Sequence, residues 1–187
     1  MEVSDYELVK QCLSGSRETF TELVTRYKRL VYHTIYNFMG NSPDINDLAQ
    51  EIFLRIFQSL NRYNPDYPFA PWAVKITTNL CLDRLRRKRF EQVTMNDMPE
   101  VTDNRGSPEE QYLKQEWREK IRKVIGGLPE KYKVPLILFH QQGLSYEAIS
   151  QILDQPMTIV KNRLYRARLM LRDKLGANGE GGVSDEM

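Results

Sequence analysis

"LSYEAISQILDQPMTIVKNRLYRARLM", residues 144–170, holds two helical patterns with a turn between them. Ser145 can accept a bond from an orphan backbone N–H and so cap a short helix with Ile149, Ile152 and Leu153 facing inward. The tripeptide DQP then turns the chain into a longer helix, where Val160, Leu164, Ala167 and Leu171 follow the four-three-four spacing of a buried stripe. This size and order predict a helix-turn-helix.

The stripe leaves Thr158, Lys161, Asn162, Tyr165 and Arg166 on the other side of the second helix. Lys, Arg and Asn are side chains that can bond base edges in the major groove, and recognition helices approach bases near their N-termini. Arg163, Arg168 and Arg172 fall nearer the flanks and suit phosphates. A solvated basic helix would carry the same charges, but the cap, the turn and the two-faced helix occur together and favour DNA contact.

Upstream, "EQYLKQEWREKIRKVIGG" and "LPEKYKVPLILFHQQG" read as further helices, with Pro135 in the early turns of the second. From 91 to 110 the periodicity fails in an acidic stretch punctuated by prolines and a glycine, which reads as a flexible linker. Extended at roughly 3.3 Å per residue, it spans at most about 65 Å. No strand-like alternation appears on either side of it. The expected fold is therefore all-α, with two small helical domains, 1–90 and 111–176, and a disordered tail at 177–187.

In the first half, Phe20, Leu23, Val24, Tyr27, Leu30, Val31, Ile35 and Phe38 predict one long amphipathic helix closed by Gly40. "NSPDINDLAQEIFLRIFQSL" restarts with Ser42 as N-cap, Pro43 at the first helical position, and Leu48, Ile52, Phe53, Ile56, Phe57 and Leu60 on the inner face. Its outward residues, Asp47, Gln50, Glu51, Arg55 and Gln58, cluster as an interface would, or as any solvated helix face does. Three prolines break "NRYNPDYPFAP", and a helix follows from Trp72 to Phe90.

The basic end of that helix, Arg84, Arg86, Arg87, Lys88 and Arg89, offers a cationic surface to a phosphate backbone. Just ahead lie Tyr63, Asn64, Asp66, Tyr67, Phe69 and Trp72. Rings that stack, polar groups that read edges and cations that follow the strand suit unstacked bases. The competing reading is a core contribution from Trp72, Phe69 and Ile76 beside an ordinary basic helix end. Separating ten base-pair steps costs on the order of 14 kcal/mol, whereas each captured base returns roughly 1–3 kcal/mol. One such loop can start a bubble but cannot hold it, so a larger DNA-holding partner is required.

Composition bounds the alternatives. The chain has 187 residues, a net charge of +2 and a 28% charged fraction, as a soluble globular protein does. No apolar run approaches the roughly 20 residues of a membrane span, and the N-terminus lacks the order of a secretory signal. A cytoplasmic protein without membrane insertion is expected. Cys12 and Cys81 stand far apart with no CxxC pair, so neither a disulfide framework nor a metal site is indicated. His33 and His140 lack a convergent nucleophile or carboxylate set, which argues against an enzyme, a cofactor or a small-molecule substrate.

"DINDLAQEIFLRIFQSLNRYNP", "FAPWAVKITTNLCLDRLRRKR", "LPEKYKVPLILFHQQGLSYEAISQIL" and "VKNRLYRARLMLRDKL", in that order, resemble bacterial RNA polymerase sigma factors of the extracytoplasmic-function (ECF) class. The resemblance implies a transcription initiation factor with region 2 over 1–90 and region 4 over 111–176. It implies core polymerase contacts at Asp47, Gln50, Glu51 and Phe53, on the surface that grips the clamp helices of the largest subunit. It assigns Tyr63, Asn64, Asp66, Phe69, Trp72, Lys75, Asn79, Arg84, Arg86 and Arg87 to recognition and melting of the minus-ten element. Thr158, Lys161, Asn162, Arg163, Tyr165, Arg166 and Arg168 are assigned to the minus-thirty-five element. An anti-sigma factor that competes with core polymerase is also implied. Two departures stand out: Thr158, Ile159 and Val160 replace the class's Gly-Thr-Val, and "APW" replaces "STW". A stand-alone helix-turn-helix regulator is the rival reading, and it leaves residues 43–90 unexplained.

Overall fold

A computed structural model describes residues 3–94 and 120–176, which are all-helical or connecting segments. They fall into two compact units, one within residues 1–98 and one within 99–187.

The first unit opens with α1 (Asp5–Leu13), a helix that the apolar spacing does not predict. Its start is set by Ser4, whose Oγ accepts the Glu7 N–H at 3.2 Å, and it buries Leu8, Val9 and Cys12. Arg26 donates to Asp5 at 2.8 Å and Tyr27 donates to the same carboxylate at 2.5 Å, which ties α1 to α2 (Arg17–Met39). Gly40, at φ 65°, ends α2 with a backbone sign that a side chain would resist.

Helix α3 spans Ile45–Ser59, continued by a short 3₁₀ turn, Leu60–Arg62. Its cap differs from expectation: Asp44 is the N-cap residue, and Ser42 Oγ accepts the Asp44 N–H at 3.4 Å instead. Pro43 therefore lies before the helix. Helix α4 runs Phe69–Thr94, three residues earlier and four later than the sequence pattern suggests. Pro71 is accommodated because first-turn N–H groups have no intrahelical partner to lose. Residues 91–94 of the expected linker are thus helical, while the rest of it, residues 111–119 and the tail lie outside the described residues. Leu8, Ile35, Leu48, Ile52, Ile56, Leu60 and Phe69 form the core of this unit, each at most 2% exposed.

The second unit contains α5 (120–126 as described), α6 (Glu130–His140), α7 (Tyr146–Leu153) and α8 (Met157–Gly176). Ile137, Leu138, Ile149, Val160, Leu164 and Ala167 form its core. Pro135 sits at mid-length in α6 and is itself buried, so the lost backbone bond is set against packed ring area. Ser145 caps α7 by accepting the Ala148 N–H at 3.2 Å, as the sequence suggests. Asp154 turns the chain in the left-handed region, at φ 51° and ψ 51°. Among the described residues, no helix is long and apolar enough to cross a membrane.

Candidate nucleic-acid interface

Helix α8 has the two faces that its spacing predicts. Val160, Leu164 and Ala167 are buried, whereas Thr158, Lys161, Asn162, Tyr165, Arg166 and Arg168 are exposed and Arg163 is half-exposed. Leu171, expected in the stripe, is only partly covered. Met157 and Ile159 add exposed apolar surface that the charge pattern did not flag. Between α6 and α8 lies a shallow cavity of about 200 Å³ lined by Lys131, Tyr132, Ile159, Asn162, Arg163 and Arg166. A hydrogen bond from Arg166, with the nearby Lys131 charge, pulls the Tyr132 phenol below its ordinary pKa. Tyr132 of α6 and Arg166 of α8 thus line the same cavity and interact across it.

In the first unit, the segment between the 3₁₀ turn and α4 is held by its own bonds. Tyr63 donates to the Tyr67 carbonyl at 2.6 Å, and Asn64 Oδ1 accepts the Asp66 N–H at 3.0 Å. Asn64, Asp66 and Tyr67 face outward, with Tyr67 52% exposed. Phe69 departs from the expectation of a stacking ring, being 1% exposed. Its neighbours explain this: ring centroids of Tyr27, Tyr63 and Trp72 lie 4.7, 5.2 and 5.2 Å away. Phe69 is the pivot on which Tyr63 and the half-buried Trp72 rest, not a ring open to a base. Burial and the Asp5 hydrogen bond push the Tyr27 phenol well above its ordinary range, so this prop stays neutral.

The basic end of α4 is not a bare cationic surface either. Lys88 pairs with Asp44 at 2.6 Å and Arg84 with Glu51 at 3.4 Å, both across to the α3 side. The hydrogen bond and charge of Lys88 hold the Asp44 carboxyl below its usual range. Arg86 pairs with Asp83 at 3.5 Å, while Arg87 and Asn79 are exposed and Lys75 is half-exposed. On α3, Asp47, Gln50 and Glu51 face outward and Phe53 is half-buried. Phe57, expected inside, is 44% exposed and lies edge-on to Phe20 at 4.8 Å. Leu54, 56% exposed, adds an apolar group to the outward face.

A helix-turn-helix with a cationic outer face, accompanied by a separate helical unit carrying polar, aromatic and basic surfaces, defines a DNA-binding transcription protein. Comparison with known proteins narrows the class. Residues 23–91 match the family profile for Sigma-70 region 2 and residues 118–171 that for Sigma-70 region 4. The chain is 30% identical over 186 residues to the ECF RNA polymerase sigma factor SigW of Bacillus subtilis (strain 168), covering 94% of this chain and 98% of that protein. It is 34% identical over 161 residues to the ECF RNA polymerase sigma factor SigE of Mycolicibacterium smegmatis (strain ATCC 700084 / mc(2)155), covering 84% of this chain and 62% of that one. The fold is similar to that of the sigma factor RpoE from Bartonella quintana, solved in complex with the anti-sigma factor NepR, with a TM-score of 0.65 at 18% identity over 86% of this chain and 98% of that one.

The chain belongs to the ECF family of RNA polymerase sigma factors. It is a transcription initiation factor, and matches in both halves disfavour the stand-alone regulator.

Proposed function

We propose that the two units divide promoter recognition. The second unit reads the minus-thirty-five element through Thr158, Lys161, Asn162, Tyr165 and Arg166, with Arg163 and Arg168 at its edges. The first unit takes the minus-ten element through Tyr63, Asn64, Asp66, Tyr67 and Trp72, and its basic helix end, Arg84, Arg86 and Arg87 with Lys75 and Asn79, follows the strand. Asp47, Gln50, Glu51 and Phe53 contact core polymerase, and exposed Leu54 extends that surface. The observation that carries this reading is the two-faced α8, with Val160, Leu164 and Ala167 buried and its polar face open.

The factor works in the cytoplasm, catalyses no reaction of its own and uses no cofactor. Polymerase keeps the strands apart, because one loop returns too little energy for a bubble. Like the neighbour solved in complex with NepR, this factor binds an anti-sigma factor, and we propose that this partner competes with core polymerase. Run-off transcription with purified core polymerase and genomic fragments tests the reading. Selective start sites are expected with the factor present, and unselective or absent transcription overturns the proposal.

A further inference from the structure

Lys161 and Arg168 are seven residues apart on α8, close to two full turns, so they share one flank. At about 100° per residue, that flank is roughly a quarter-turn from the Val160–Leu164–Ala167 stripe, whereas Thr158 and Asn162 lie nearly opposite the stripe. What stands beside this flank is aromatic. Phe139, near the end of α6, stacks on Tyr146, the first residue of α7, with centroids 4.9 Å apart and planes 13° from parallel. Lys161 Nζ lies over the Tyr146 ring, 5.6 Å from its centroid, and the Arg168 guanidinium lies over Phe139 at 5.4 Å. Arg168 Nε also donates to His140 Nε2 at 3.4 Å.

We propose that Phe139 and Tyr146 are positioning residues for DNA backbone binding. Their ring faces hold Lys161 and Arg168 in line along one flank of α8, where both cations meet phosphates of one strand. This inference rests on the reading that α8 docks at the minus-thirty-five element. It goes beyond that reading by moving Lys161 from base recognition to phosphate contact and by giving the α6–α7 junction a part in binding. A ring face attracts a cation without offering it a counter-charge, so the ammonium stays available to a phosphate. Rotamer freedom that would otherwise be lost on binding is restricted beforehand. Base readout then falls to Thr158, Asn162, Tyr165 and Arg166.

The test uses the full chain assembled with core polymerase and a duplex promoter fragment found by run-off transcription, beside the same fragment with single changes in its minus-thirty-five element. Replacing Tyr146→Leu is expected to weaken binding about two- to five-fold on all fragments alike, and Tyr146→Phe to restore it. Lys161→Gln should cause a comparable uniform loss and flatten the dependence of log K on log salt by about one. In a Lys161→Gln background, Tyr146→Leu should do nothing further. Additive losses in the double variant, or a shift in base preference on Tyr146→Leu, would overturn the ring account. If Tyr146→Leu impairs folding, the Lys161→Gln variant alone still decides, since a change in base preference there contradicts a phosphate role. Asn162→Ala separates the two levels: if it leaves minus-thirty-five preference unchanged, the docking reading itself fails.

Discussion

Glu51 stands on the surface proposed for polymerase, yet it pairs with Arg84 on the surface proposed for DNA. Neutralising it with Glu51→Gln should therefore move the two affinities in opposite directions. The pair is 3.4 Å long between side chains 35% and 48% exposed. Such a pair is worth about 0.2–1 kcal/mol, or roughly 1.4- to 5-fold in an equilibrium constant. Released from Glu51, Arg84 can take one more phosphate, which steepens the salt dependence by about 0.9 in log–log slope. Equilibrium titration of the full chain, without polymerase, onto a non-specific duplex should show tightening in that range. Titration of core polymerase should show weaker binding. Asp47→Asn supplies the control, because it removes the same charge one turn away without breaking a pair to α4. The reasoning is refuted if Asp47→Asn tightens DNA binding as much as Glu51→Gln, or if the gain survives in an Arg84→Gln background.

Other consequences are more local. Phe69→Ala removes the pivot under Tyr63 and Trp72 and should cost about 3–5 kcal/mol of stability, read by denaturant unfolding; Phe69→Leu should retain most of it and still support open-complex formation. Ser145→Ala leaves the Ala148 N–H uncapped and should lower stability by ~1 kcal/mol, with a matching drop in the thermal midpoint of the second unit. Burial pushes the Cys81 thiol up to about 12 from an ordinary 9.0. A raised folded pKa stabilises fully below the unfolded value and is lost as pH rises between the two. The first unit should therefore weaken between pH 9 and 12, and Cys81→Ala should make the loss shallower when unfolding is followed against pH.

Much of the fold was legible because helical period and burial coincide. The α8 stripe and the Ser145 cap depend only on spacing along one helix, and spacing is what a sequence displays. Helix α1 was also written there: Ser4 and Glu7 stand in the S-x-x-E arrangement of a helix start, but the segment is short and polar enough to lack a strong apolar rhythm. The register between helices was not legible. Glu51 and Arg84 lie 33 positions apart, and only packing of α3 against α4 brings them to 3.4 Å. Phe69 and Phe57 exchanged their expected roles for a related reason. A ring beside a proline-rich loop can turn inward when Tyr27 and Trp72 line a place for it, and a ring on the edge of an apolar stripe can remain half open. Cations on the α4 end read as free from composition, while three-dimensional neighbours tie Arg84 and Lys88 to carboxylates.

That both helical units touch one promoter at separate elements can be examined by placing a photo-crosslinking side chain at Tyr67 or at Asn162 in a reconstituted polymerase complex on promoter DNA. Crosslinks from position 67 to the non-template strand of the minus-ten element, and from position 162 to the minus-thirty-five element, are the predicted result. Crosslinks from only one of the two positions, or from both to a single element, would contradict it.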